Sequence, residues 1–418
     1  MLMRFLGGAQ EVGRSAILIK DRKSLLLDYG IKINHKIEYP TAMPEVDAIV
    51  LSHAHLDHSG FVPALYNEML IPAFGTEPTL KMSELLLNDS LNIAKKEHMQ
   101  QRFHKRQIAT MMRRYTSLDY HSPIDMGNFS IELFDSGHIC GSAITLLEMK
   151  NGGKHSRIVY TGDYKLGQQM LHKGAEIVKG DVLITESTYA TREHPDRNLL
   201  EKEFIGKVKE TLDSNGTVLL PVFAVGRSQE ILTLLYRHGL TQYTYLDGMA
   251  RAATSIVLKY STFVSNADAL SKAVKETSII GDRSERGEAL ESPSIILTTA
   301  GMLTGGPVLD YITRLRRNSS ILLTGYQVEG SNGRTLMDSG TVVIDGKKMH
   351  IDANVSYYDM SAHAGMSDLR EYVKGSEPSV VICVHGDREN AIKLADDLRL
   401  EGYEAHAPKV DDVIKLDL

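Results

Sequence analysis

Two cysteines, Cys140 and Cys383, stand far apart in a chain of 418 residues. That scarcity excludes a disulfide framework and a cysteine-rich zinc finger, and it fits a reducing cytoplasm. No apolar run approaches the roughly 20 residues that span a bilayer. Met1–Gln10 lacks a basic stretch followed by a long apolar core, so no signal peptide is expected. These absences predict a cytoplasmic protein with no membrane partner. Internal repeats, low-complexity tracts and Pro/Ser-rich linkers are also missing, so a second domain is expected to be built in rather than tethered. Nor is there an excess of positive charge: 47 Lys and Arg against 53 Asp and Glu leave −6. That balance excludes a uniformly basic nucleic-acid binder.

What is present is an alternation of strand-like and helical segments. Short β-branched or aliphatic runs fall at Ser24–Asp28, Val46–Ser52, Arg157–Asp163, Asp181–Glu186, Thr217–Val222, Ser294–Thr299, Ser319–Thr324 and Ser379–His385. Several are almost continuously apolar, the pattern of strands covered on both faces. Helical periodicity appears at Leu199–Leu212, Ser228–Arg237 and Ala391–Leu400. The fold class read from this is α/β, with helices layered on sheets.

Several strands end in residues suited to chemistry: Asp28, the cluster from His53, Asp163, Glu186 and His385. Strand ends feeding loops are where α/β folds place their sites. The densest signal is His53-Ala54-His55-Leu56-Asp57-His58. Extended backbone sends His53 and His55 to one side, and a following turn brings Asp57 and His58 towards a second point. Imidazole and carboxylate suit Zn²⁺, and four such groups within six residues can serve two metals.

The order H-x-H-x-D-H resembles the metallo-β-lactamase superfamily, and the remaining pieces follow in sequence. Asp28 ends Leu25-Leu26-Leu27-Asp28, His138 closes Asp135-Ser136-Gly137-His138, and Asp163 ends Tyr160-Thr161-Gly162-Asp163. Glu186 in Thr185-Glu186-Ser187-Thr188-Tyr189, His363 in Ser361-Ala362-His363-Ala364, and His385 in Val384-His385-Gly386-Asp387 resemble motifs A, B and C of the β-CASP nucleases. Pro221–Glu230, Thr299–Met302 and Gly325–Gln327 also look like β-CASP signatures, so the resemblance covers nearly the whole chain. It is nearest to the endonuclease subunit of the cleavage and polyadenylation specificity factor and its archaeal relatives, in the form without KH domains. DNA-repair members lack the motif C histidine, so His385 looks like the RNA-processing branch.

The resemblance implies an αββα metallo-β-lactamase sandwich, residues 1–188 and 362–418, with an α/β β-CASP domain inserted at 189–361. It implies two Zn²⁺: one on His53, His55 and His138, the other on Asp57, His58 and His385, with Asp163 bridging. Two such metals can acidify a bridging water for in-line attack on an RNA phosphodiester, leaving a 5′-phosphate and a 3′-hydroxyl. His363 then fits the general acid and Glu186 its orienting carboxylate, while Asp28 fits a partner that fixes a ligand histidine. The expected function is a zinc-dependent ribonuclease in RNA 3′-end processing or decay, as endonuclease, 5′-to-3′ exonuclease or both. Its expected partners are RNA, a second copy of the chain and other RNA-processing or RNA-decay proteins.

Other features extend this reading. Arg227, at an expected helix start, is a candidate contact for the RNA backbone. The glycine-rich stretches 301–307 and 325–333 are either turns or loops offering N–H groups to phosphates. Between Lys95 and Thr116, seven basic residues including Arg113 and Arg114 meet one acid, Glu97. That segment is a solvated helical face or an electrostatic arm for RNA. Both cysteines read as packing residues. Two competing functions share the fold: a small-molecule metallohydrolase such as a thioesterase, disfavoured by the long stretch between Glu186 and His363, and an inactive scaffold subunit, disfavoured because every ligand position is filled.

Overall fold

A computed structural model describes residues 1–33, 36–151 and 154–417. All eight expected strands form, seven with ends trimmed by one or two residues and the one expected at Arg157–Asp163 shifted to Lys154–Tyr160, and so do the three expected helices. The chain divides into two compact units. Unit one comprises residues 1–168, 172–193 and 362–418; unit two comprises 169–171 and 194–361. Unit one thus runs five residues past the boundary expected at 188/189. Its hold on that stretch is visible: Tyr189 bridges to Gly365, and the Met366 N–H donates to the Arg192 carbonyl. Residues 169–171 fall to unit two because the buried Glu230 carboxylate accepts from the Met170 and Leu171 N–H groups.

Unit one holds two seven-stranded sheets. The first includes Leu2–Gly7, Ala16–Lys20, Ser24–Leu27, Ala48–Val50 and Ala73–Gly75, and the second includes Val380–Val384, Val182–Glu186, Lys154–Tyr160, Ala143–Asn151 and Phe129–Asp135. Alternation along each strand explains the continuous apolar runs. Leu25, Leu27 and Val50 face Ile158, Tyr160, Ile184 and Ile382 in the core between the sheets. The intervening Leu26 and Ile49 face outward under the helices Glu77–Lys96 and Lys105–Arg114. On the other side Val159, Leu183, Val381 and Cys383 pack under Met366–Ser376 and Arg388–Leu400. The result is the four-layer αββα sandwich expected from the sequence. Burial pushes the thiols of Cys140 and Cys383 up to about 12, as befits packing residues.

Unit two is built on a six-stranded, wholly parallel sheet in the order Ser278–Ile279, Thr244–Leu246, Ser294–Thr298, Thr217–Pro221, Ser320–Leu323, Asn354–Tyr357. Leu219, Ile296, Ile321 and Leu323 form one buried face against Val308, Tyr311, Ile312 and Leu336. Val218, Leu220, Ile295, Leu297 and Leu322 are buried as well. It is the α/β body expected of the inserted domain.

Candidate metal centre

The ligand loop follows the strand Ala48–Val50 and ends in a single helical turn, Leu56–Ser59. Backbone bonds fix its course: Ser15 N–H donates to Asp57 O, Tyr29 N–H to His58 O, and Ile31 N–H to Leu56 O. Gly30 makes this approach possible, because a Cβ there would lie 1.8 Å from Asp57 O. On the second sheet, Gly162 turns the loop to Asp163 with φ +53, and a Cβ would fall 2.7 Å from Ser52 Cβ. Only glycine suits both demands.

Three groups of donors converge, and Asp163 belongs to each: His53, His55, His138 with Asp163; Asp57, His58, His385 with Asp163; and Asp163 with Glu186 and His363. Within each group the donor atoms lie within 4.8 Å of one another. In the first, His55 Nδ1 is 3.2 Å from both His53 Nε2 and His138 Nε2, and Asp163 Oδ2 is 3.6 Å from His53 Nε2. Tetrahedral Zn²⁺ with Zn–N of 2.0–2.1 Å would set its ligand atoms roughly 3.3–3.4 Å apart. The nitrogens present fit that spacing. In the second group, His58 Nε2 is 3.4 Å from Asp163 Oδ2, and His385 Nε2 is 3.3 Å from Asp57 Oδ2.

Electrostatics agree with the geometry. Burial keeps His53, His55 and His138 neutral, well below the usual imidazole range for His53 and His138. Neutral imidazole is the ligating form. Burial presses His385 the same way, but Asp163 opposite raises it to about 10. For His58, Asp163, Asp28 and Asp57 likewise overcome the effect of burial. The carboxylates thus demand positive charge in the second group, where protons take a role that a cation can fill.

Second partners orient the rings. His58 Nδ1 donates to Asp28 Oδ2 at 2.7 Å, directing Nε2 at the centre. His138 Nδ1 donates to Ala362 O at 2.9 Å. Asp28 is fully buried and also accepts from Ser52 N–H at 2.7 Å, Ser52 Oγ at 2.6 Å and Tyr160 OH at 2.7 Å. Glu186, fully buried, meets His363 Nδ1 at 3.1–3.2 Å and accepts from Tyr164 N–H. His363 is partly exposed, with its ring centroid 4.8 Å from that of His138. Burial lowers the proton affinity of His363, but Glu186 and Asp163 outweigh it and hold the imidazole above its ordinary range.

The structure therefore brings together His53, His55, Asp57, His58, His138, Asp163, His385, Glu186 and His363, with Asp28 behind His58. Arg113 and Arg114 are exposed in the last turn of Lys105–Arg114, as are the other five basic residues of that segment. Arg227 opens the helix Arg227–Arg237 in unit two and is buried, 9% exposed. Sequence reasoning missed Ser52, Tyr160 and the Ala362 carbonyl. Tyr160 ends an aliphatic strand at an inward position, which marks it as core and carries no sign of its bond to Asp28.

Comparison with known proteins points one way. The Beta-Casp domain family matches residues 228–336, the Zn-dependent metallo-hydrolase RNA specificity domain matches 348–408, and the anti-Pycsar protein Apyc1 family matches 8–194. The probable RNase MJ4 of Methanocaldococcus jannaschii is 40% identical over 99% of this chain and 99% of its own length. RNase aCSPSF2 of Saccharolobus solfataricus is 34% identical over 99% of this chain and 85% of its own. The transcription termination factor FttA of M. jannaschii is 32% identical over 99% and 71%. A crystal structure of a protein of unknown function from Enterococcus faecalis V583 shares the fold, with a TM-score of 0.65 at 16% identity, covering 99% of each chain.

Proposed function

The chain belongs to the β-CASP family of metallo-β-lactamase-fold ribonucleases, and from that premise we propose that it hydrolyses RNA phosphodiester bonds with two zinc ions. The observation that carries the reading is the sharing of Asp163 by two four-donor groups. His53, His55 and His138 would hold one ion and Asp57, His58 and His385 the other, with Asp163 serving both. Bound there, the ions would acidify a water and neutralise charge on the scissile phosphate.

The chain's own groups do the rest. Asp28 accepts a hydrogen bond from His58 Nδ1–H and so keeps Nε2 directed at the centre. Glu186 accepts a hydrogen bond from His363 Nδ1–H and stabilises the charged ring, so the imidazolium can pass its Nε2 proton to the departing 3′-oxygen. Burial of Asp163, His53 and His58 excludes bulk water from the donors and strengthens each charge interaction. The role is RNA 3′-end processing or decay, by endonucleolytic cleavage, 5′-to-3′ exonucleolytic cleavage or both.

The test incubates purified protein with 5′-labelled linear RNA and with circular RNA, with and without chelator, and counts bound zinc. Chelator-sensitive cleavage of linear RNA by protein holding two zinc ions is the expected result, and cleavage of the circle as well would assign the endonuclease mode. Bound zinc without cleavage would return the function to a non-nuclease metallohydrolase or a scaffold. Circular RNA left intact while linear RNA is degraded would remove the endonuclease mode.

A further inference from the structure

The ligands divide between the two sheets of unit one. His53, His55, Asp57 and His58 follow a strand of the first sheet, whereas Asp163 and His385 follow strands of the second, and His138 stands in the turn between two more of its strands. A metal site assembled from two sheets needs their loops registered to about 0.5 Å. Asp28 and Tyr160 meet where this registration is made. Asp28 follows the first-sheet strand Ser24–Leu27, and Tyr160 ends the second-sheet strand Lys154–Tyr160.

Asp28 Oδ2 receives three donors: Ser52 Oγ and His58 Nδ1 from the ligand segment, and Tyr160 OH from the opposite sheet. Tyr160 is 2% exposed and its ring packs in the core between the sheets, so losing Asp28 would leave its hydroxyl buried without a partner. Phenylalanine would fill the same core space. The hydroxyl is therefore not required for packing, and its bond crosses the sandwich to a carboxylate that orients a ligand.

We propose that Tyr160 is a positioning residue of the metal centre, its hydroxyl fixing Asp28, and through Asp28 the His58 ring, in register with the ligands of the second sheet. The inference rests on the functional reading above, since it concerns the same centre. Tyr160 touches neither ligand atoms nor substrate; it acts through Asp28.

The test measures zinc affinity by chelator competition in wild type, Tyr160→Phe, Asp28→Asn and Tyr160→Phe/Asp28→Asn. Tyr372→Phe is the control, another fully buried tyrosine whose hydroxyl meets the Val178 N–H. Tyr160→Phe should weaken one of the two zinc ions by about 10- to 100-fold, the loss typical of a ligand's outer partner. Tyr372→Phe should leave both affinities unchanged at a similar loss of metal-free thermal stability. The double variant should bind zinc no more weakly than Asp28→Asn alone, because one residue acts through the other. Wild-type affinity for both ions in Tyr160→Phe, or losses that add in the double variant, would overturn the assignment. If Tyr160→Phe fails to fold, retention of both ions by Asp28→Asn at wild-type affinity would overturn it equally. Wild-type cleavage of RNA, assayed alongside, judges the functional reading separately: zinc-loaded protein that leaves RNA intact defeats that reading while the affinities still decide the role of Tyr160.

Discussion

Replacing His363 with alanine removes the group assigned to protonate the departing oxygen and leaves every donor of the two four-membered ligand groups in place. A positioned general acid contributes about 100- to 10,000-fold, so kcat should fall by that factor, about 2.7–5.4 kcal/mol at 1.36 kcal/mol per tenfold. Glu186 acts through His363. Its contacts to Nδ1, at 3.2 and 3.1 Å, form a charge-assisted interaction worth about 1.5–3 kcal/mol, so Glu186→Gln should cost roughly 10- to 150-fold. Burial opposes the His363 proton while Glu186 and Asp163 favour it, with the net shift upward. The imidazolium is thus present below the shifted value and lost as pH rises through it. Activity should fall on the alkaline side, and Glu186→Gln should move that limb to lower pH. The assay is single-turnover cleavage of labelled RNA across pH, with zinc counted in each variant. The double variant should be no slower than His363→Ala, since the carboxylate then has no imidazole to serve. Multiplying losses, or zinc lost in proportion to activity in His363→Ala, would refute the assignment.

Three further outcomes are expected. Asp163→Asn should lower bound zinc from two towards none, whereas His53→Ala should leave the Asp57–His58–His385 group able to hold one; elemental analysis of dialysed protein distinguishes them. Gly162→Ala sets a Cβ 2.7 Å from Ser52 Cβ at φ +53, so the metal-free chain should lose about 1–3 kcal/mol in denaturant titration, and unchanged stability would mean the loop has room. Replacing Arg113 and Arg114 with glutamine should weaken RNA binding and reduce the slope of log affinity against log salt by about 1.4, at 0.7 per phosphate contact on a single strand. An unchanged slope would leave those side chains as a solvated face.

The sandwich and the first four donors were legible because each is written locally. Leu25, Leu26 and Leu27 are apolar in succession because two layers cover the strand, and His53–His58 packs four donors into one strand-and-turn. The pairing of His138 with Ala362 O, 224 residues apart in sequence, leaves no local trace, because a backbone carbonyl has no residue identity. Tyr160 reads as core, which it is; nothing in its neighbours Val159 and Thr161 announces that its hydroxyl reaches Asp28, 132 positions away. Arg227 shows what a helix start alone does not tell. A helix start after glycine suggests display, but all nine residues from Arg227 to Leu235 are buried.

The donors of unit one run from residue 53 to residue 385, with the whole of 194–361 between them. During translation this order acts as a timer. A nascent chain paused or truncated anywhere before residue 385 lacks the last imidazole of the second group, and one cut before residue 363 lacks His363 too. A ribosome thus carries a chain without a complete donor set until residue 385 has been added. Truncated products from damaged transcripts inherit the same disability.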